Sequence, residues 1–172
     1  MSKMMTIQDI AGFCPESAVW KMMADVSDFI LQGGCGFLLK PDTIAVEGEQ
    51  FLVTNTKNDA TKEEMVWALG AVAYYAATGH DVFGGHGWGY QQEHPQVALP
   101  VLPKSFRKLT PVIHGCLCYD VSRRIKMEEL RQLAQKGLVA CAQQIRTKTN
   151  DVEESRIRIK GIIEIWPEEM IV

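Results

Sequence analysis

A chain of 172 residues, 47% apolar and 23% charged, can bury one sizeable core and is too short for two independent domains of ordinary size. A net charge of −3 gives no general attraction for nucleic acid or for an anionic membrane surface, so no nucleic-acid partner is expected. The most apolar run, residues 66–77, falls short of the roughly 20 residues that span a bilayer and is followed by Thr, Gly, His and Asp, which excludes it as a membrane segment.

The opening MSKMMTIQDI lacks an apolar run of signal-peptide type. The five cysteines, Cys14, Cys35, Cys116, Cys118 and Cys141, are odd in number and contain no CxxC pair. Together these features predict a reduced, cytoplasmic protein. From Pro15, the positions Val19, Met22, Met23, Val26, Phe29 and Ile30 recur at spacings of three and four and stop at Gly33-Gly34, which predicts one amphipathic helix. Two short β-prone runs follow, Thr43 to Val46 and Phe51 to Val53, with Glu47-Gly48-Glu49 between them as a turn. Such a small hairpin needs a helix to pack against.

Thr61 followed by Glu64 has the spacing of a capping box, and the helix it opens should run to about Ala77. Val66, Leu69, Ala73 and Ala76 mark one face, while Trp67, Val72 and Tyr74 widen the apolar surface beyond an ordinary stripe. That predicts a helix buried on most sides. The small residues Gly70, Ala71 and Ala73 would let neighbouring backbones approach, and Gly79 is placed to end the helix in the left-handed conformation. Residues 80–103 read as a long irregular segment, with Phe83, Trp88 and Tyr90 as anchors. A third helix is predicted over residues 105–120, with Phe106, Leu109, Ile113, Cys116 and Leu117 inward and Pro111 as a kink or a late start. A fourth spans 127–145, with a break at Gly137 as one option. The tail alternates basic and apolar residues from Arg156 to Lys160, the pattern of a half-buried strand, which Ile162 to Ile165 would continue or pair.

The order of these pieces resembles the C-terminal, mainly helical lobe of eukaryotic-type protein kinases over about residues 17–134, with 135–172 as an extension of the same domain. The stretch VWALGAVAYYAATGHDVF is similar to the central helix of that lobe, commonly D-V-W-S-L-G-V-x-L-Y-E-L-L-T-G-x-x-P-F, through Val66, Trp67, Leu69, Gly70, Tyr74, Thr78, Gly79 and Phe83. The later pattern L-x-x-L-I-x-x-C-L-x-x-D-P-x-x-R-P-T-x-x-E-L is matched at Cys116, Leu117, Asp120, Arg124, Glu129 and Leu130. LLKPDTIAV resembles the stretch L-K-P-E-N-I-L-L. The resemblance implies a mainly helical α+β domain with a small hairpin, and structural duties for Trp67, Gly70, Gly79, Asp120 and Arg124.

It also implies that catalysis has been lost, as in a truncated kinase domain or pseudokinase. Kinase chemistry needs an aspartate to orient the hydroxyl and two metal-binding groups to neutralise phosphate charge. The matching positions hold Leu38 for the aspartate, Thr43 for the asparagine, and the neighbourhood of Thr54-Asn55 for D-F-G. The aspartate that opens the central helix is Met65. An N-terminal lobe takes roughly 80 to 100 residues, where 16 precede Ser17, and the six or so residues before the central helix leave no activation segment. No catalytic residue, cofactor or ATP binding is therefore expected. Arg124 loses the acidic partner its counterpart has, and the expected substitute is a structural ion pair with Asp59, Glu63, Glu64 or Asp120. Solvent and a ligand are the alternatives.

Other constellations carry weaker chemistry. His114, Cys116 and Cys118 are two apart, a spacing that does not converge on a helix. His80, His86 and His94 have no convincing carboxylate or cysteine partner beside them, so no metal site is expected. GGHGWG follows a helix, whereas nucleotide-binding glycine loops follow a strand. Arg156, Arg158 and Lys160 are diluted by Asp151, Glu153, Glu154 and Glu164 and read as a solvated face. Ile157 and Ile159 opposite them would cover apolar surface. The reading that follows is a non-catalytic interaction or regulatory domain with a protein partner or self-association, for which Trp88 and Tyr90 are the candidate contact residues. An enzyme of unrelated chemistry using residues 80–94 and a homo-oligomeric structural protein are the alternatives.

Overall fold

The computed structural model describes residues 3–33, 39–54 and 60–144. The chain divides into two compact units, Met1–Leu138 and Val139–Val172. Of the second only 139–144 is described, so the tail from Arg156 to Ile165 lies outside the described residues, as do Cys35, Leu38, Asn55 and Asp59.

Near the N-terminus a short helix, α1 (Ile7–Ile10), appears where the pattern predicted only a lead. Its start is held by Asp9, whose carboxylate accepts from the Thr6 backbone N–H at 2.9 Å. Just before it, Val46 N–H donates to the Met5 carbonyl at 2.8 Å and Thr6 bridges Ala45, so the lead lies along the hairpin's outer edge. One turn of periodicity is too little to read from sequence.

Helix α2 (Glu16–Leu31) has Pro15 as its N-terminal cap residue. Val19, Met22, Met23, Val26 and Ile30 are buried as predicted. Phe29 is a correction: it is 41% exposed, and Trp20, 3% exposed, fills the inward position instead. Ile30 already continues the stripe from Val26, and a residue one earlier points about 100° away. The hairpin pairs β1 (Ile44–Glu47) with β2 (Gln50–Val53) in antiparallel register, Glu47 opposite Gln50, and turns through Gly48 at φ 61°. Two four-residue strands gain their stability from packing on α2. Asp25 fastens them there, accepting from Phe51 N–H at 3.0 Å while Lys21 lies 2.8 Å from its other oxygen.

Helix α3 (Lys62–Thr78) is the centre of the first unit. Thr61 accepts from Glu64 N–H at 3.1 Å, half of the predicted capping box. Met65, Val66, Ala68, Leu69, Gly70, Val72, Ala73, Ala76 and Ala77 are all buried, so the helix is covered on most of its circumference. It packs on both α2 and α5 (Thr110–Cys116). A side chain at Gly70 would collide with Cys116 Cβ, which is the close approach its small size permits. Gly79 ends the helix at φ 76°, its N–H donating to the Tyr75 carbonyl at 2.7 Å.

The expected irregular stretch 80–103 is corrected. It contains a 3-10 turn, Val82–Gly85, and a seven-residue helix, α4 (Gly87–Glu93). Glycine-rich composition hides the helix, because Gly87 and Gly89 lower local propensity while contacts to the rest of the unit supply the stability. Pro111 sits in the first turn of α5, where its missing N–H costs nothing, so the third helix starts late. Phe106, Leu109, Ile113, Cys116 and Leu117 are buried as predicted. The last helix, α6, occupies 127–144, and its 127–138 portion belongs to the first unit. It is unbroken at Gly137, correcting the expected option of a break. That glycine makes room for the Trp20 ring. The architecture is α+β and mainly α, with one two-stranded sheet among the described residues.

Candidate functional site

Alongside α3 the unit opens into a cleft of about 720 Å³. Its floor is a stripe of α3 comprising Trp67, Ala68, Ala71, Val72 and Tyr75. One wall is the chain entering the hairpin, Leu39 to Pro41. The other is Val82, Gly85, Gly87 and Trp88 from the segment that follows α3. Thr61, Glu63, Glu64, Asp81, Val121 and Arg124 complete the lining. No residue of β1 or β2 is part of it, and neither is His80, His86 or His94.

Two buried polar residues hold this cleft in shape. Gln91 of α4 is 2% exposed; its side-chain oxygen accepts from Trp67 Nε1 at 2.9 Å and its nitrogen donates to the Leu117 carbonyl at 2.6 Å. One amide thus ties α3, α4 and the end of α5 together and leaves the Trp67 ring free to form floor. Sequence reasoning missed Gln91, because a glutamine in a polar, glycine-rich stretch carries no sign of burial. Arg124, 7% exposed, is the second. Its Nε donates to the Cys118 carbonyl at 2.9 Å, Nη1 to the Glu63 carbonyl at 3.0 Å and Nη2 to the Tyr119 carbonyl at 3.2 Å.

The expected ion pair of Arg124 is therefore corrected for Glu63, Glu64 and Asp120, while Asp59 lies outside the described residues. Among the described residues no carboxylate lies within 4.0 Å of the guanidinium, and backbone carbonyls take that place. The planar five-donor fork can address three carbonyls of different directions at once, which a point-like ammonium cannot. Burial works against its charge, with Cys118, Cys116, Glu63 and Glu64 acting in the opposite sense. Asp120 serves its own loop: its carboxylate accepts from the Ser122 N–H at 3.0 Å and hydroxyl at 2.7 Å, and these bonds hold its acidity on the low side of the usual carboxylate range.

The remaining sequence candidates fall in separate places. Trp88 lines the cleft, is 43% exposed and stacks on Tyr119 with ring centres 5.8 Å apart. Tyr90 belongs to a column of rings, with His94 at 4.3 Å, Phe83 at 5.6 Å and His86 at 6.2 Å. Phe83 takes a left-handed φ of 54° to enter that column, with Gly84 and Gly85 continuing in the same region at 65° and 88°. His94 Nδ1 lies 3.1 Å from the Tyr90 carbonyl, and His114 Nε2 lies 2.7 Å from the Pro100 carbonyl. Cys116 is fully buried, and burial pushes its thiol up to about 12. Thr43, at the position of the kinase metal-binding asparagine in the resemblance, is buried, and its hydroxyl is engaged with Lys40 N and O at 2.9 Å each. Met65 is completely buried. No group of three or more potential metal ligands occurs among the described residues, and none of their helices is long and apolar enough to cross a membrane.

The electrostatics of the lining are uneven. Glu63 and Glu64 stand at the α3 N-terminal end of the cleft and Asp81 beyond its C-terminal end. None of the three carboxylates has an ion-pair partner among the described residues. Lys40 is the lining's exposed base, and Arg124 is enclosed by carbonyls.

Compared with known proteins, the chain matches no family model and no curated protein.

Proposed function

We propose that this is a non-catalytic interaction or regulatory domain related to the C-terminal lobe of protein kinases, acting through the cleft beside α3. The observation that carries the reading is the character of the cleft: an apolar helical floor with two aromatic rings, with Glu63 and Glu64 at one end and Asp81 at the other, and, among the described residues, no histidine or cysteine in its lining. Nucleophilic and general-base chemistry needs a nucleophile and a base, whether histidine, carboxylate or lysine, converging within hydrogen-bond reach, and among the described residues no hydrogen bond joins two such side chains of the lining. Broad apolar surface held open by buried polar braces is instead what a binding partner uses.

Support for the kinase relationship is the element order, with a helix, a hairpin, a buried central helix and then the arginine loop tied back to that helix. Fold analogy gives architecture and not activity, so the reading of lost kinase chemistry is supported by the residues: Thr43 spends its hydroxyl within its own turn and Met65 is apolar and buried. Titration of the protein with ATP and magnesium, followed by calorimetry and thermal unfolding, should give neither saturable heat nor a shift in melting temperature. Saturable, magnesium-dependent binding or phosphate transfer to any acceptor would overturn the reading.

A further inference from the structure

The α3 floor has a periodicity of its own. Glu64, Trp67, Ala68, Ala71, Val72 and Tyr75 recur at intervals of three and four, the spacing at which one helix presents a seam to another. At 1.5 Å per residue the stretch from Glu64 to Tyr75 rises about 17 Å, or three turns. Ala68 and Ala71 form a shallow centre between the larger Trp67 and Tyr75, so the seam offers a hole bounded by rings. Among the described residues no sheet edge lines the cleft, and an extended peptide would find no ladder there to join.

Charge selects among helices. Among the described residues Glu63, Glu64 and Asp81 flank the seam at both ends with no ion pair within 4.0 Å, against Lys40 as the exposed base of the lining. Arg124, buried and bonded to the Cys118, Tyr119 and Glu63 carbonyls, offsets part of the Glu63 and Glu64 charge, and the described lining keeps an excess of acid. Apolar side chains would enter the hole while lysine or arginine heads meet the acidic ends, where steering of opposite charge also speeds association.

We infer that the cleft docks an amphipathic, basic α-helix of about three turns from another protein, laid along α3 with apolar residues at three- and four-residue spacing. The inference rests on the interaction-domain reading above and gives its partner a chemistry.

The test uses three synthetic peptides with blocked ends: a helix-forming one with leucines at spacings of three and four among alanine and lysine, a scramble of it, and a version with lysine replaced by glutamate. Binding to the full chain is followed by anisotropy of a labelled peptide and by amide shift mapping. The basic helical peptide should bind at least tenfold tighter than the other two, with shifts concentrated on 64–75 and Trp88. Ala71→Arg, which fills the hole with charge of the peptide's own sign, should weaken it at least tenfold, and Glu64→Gln with Asp81→Asn, which are both exposed and remove acidic charge from both ends of the seam without adding positive charge beside Arg124, should weaken it at least threefold. If Ala71→Arg alone destabilises the fold, the exposed double variant decides. Equal binding of the scramble, no binding by any peptide, or indifference to the variants overturns the inference. So does preference for a simple amphiphilic amine over the peptide, which would make the cleft a small-molecule site. ATP–magnesium binding would remove the non-catalytic reading and leave the seam standing, whereas lost peptide discrimination would do the reverse.

Discussion

Arg124 Nη1 and the Glu63 carbonyl oxygen lie 3.0 Å apart, so the loop after α5 is fastened to the first turn of α3 across 61 residues of chain. Removing the guanidinium leaves that carbonyl, and those of Cys118 and Tyr119, without their donor. Arg124→Ala should lower stability by about 2 to 4 kcal/mol in denaturant unfolding. Arg124→Lys keeps the charge and loses the fork, so it should recover less than half of the loss. A change within about 0.5 kcal/mol for the alanine variant would show that the arginine is not the brace described.

Gln91 links Trp67 to the Leu117 carbonyl from a site 2% exposed. Gln91→Leu retains the volume but strands an indole N–H and a carbonyl. The expected cost is about 1 to 3 kcal/mol, accompanied by a change in tryptophan emission as Trp67 loses its acceptor. Unaltered emission together with unaltered stability would contradict the link.

Two glycines in helices should respond to alanine with opposite signs. At Gly70 an added methyl meets Cys116 Cβ, so Gly70→Ala should cost about 1 to 3 kcal/mol despite the better helix propensity of alanine. At Gly89, where nothing lies within 4 Å of the added atom, the same change should stabilise by about 0.5 to 1 kcal/mol. Melting temperatures of the two variants decide the matter, and a shared sign would be inconsistent with the packing.

Cys116 carries a pH signature. Burial raises its thiol to about 12 in the folded chain, whereas the unfolded chain ionises near the ordinary value of 9.0. Above that value the unfolded state has lost a proton that the folded state retains, so stability falls as pH rises toward the folded value. The slope from this group is small at pH 8, about half of its limit at pH 9, and approaches about 1.4 kcal/mol per pH unit only between pH 10 and the folded value. It appears as a shrinking gap between wild type and Cys116→Ala in unfolding curves at pH 8, 9 and 10. A gap that stays constant over that range would mean the thiol is accessible.

Helices α2 and α3 and the hairpin were readable because they are local patterns: apolar spacing of three and four, a threonine cap at Thr61, and glycines at 48 and 79 where a positive φ is needed. Helix α4 was not, since its stability comes from contacts and its glycines argue against it. Of the cleft, the sequence pointed to Trp67, Ala71 and Trp88 as residues of note but could not bring them together. The two braces show the same limit. Arg124 was marked as a residue needing a partner, and acids near the start of the central helix or in its own loop were the natural expectation.

By itself the sequence determined that α2, the hairpin and α3 form and, Phe29 apart, which of their faces seek a core, because backbone propensity and side-chain periodicity act over a few residues. Tertiary structure alone decided that Arg124 is met by carbonyls, that Gln91 is buried beneath Trp67, and that one stripe of α3 remains open. Those outcomes depend on the meeting of segments 24 to 61 residues apart, whose relative placement no local rule contains.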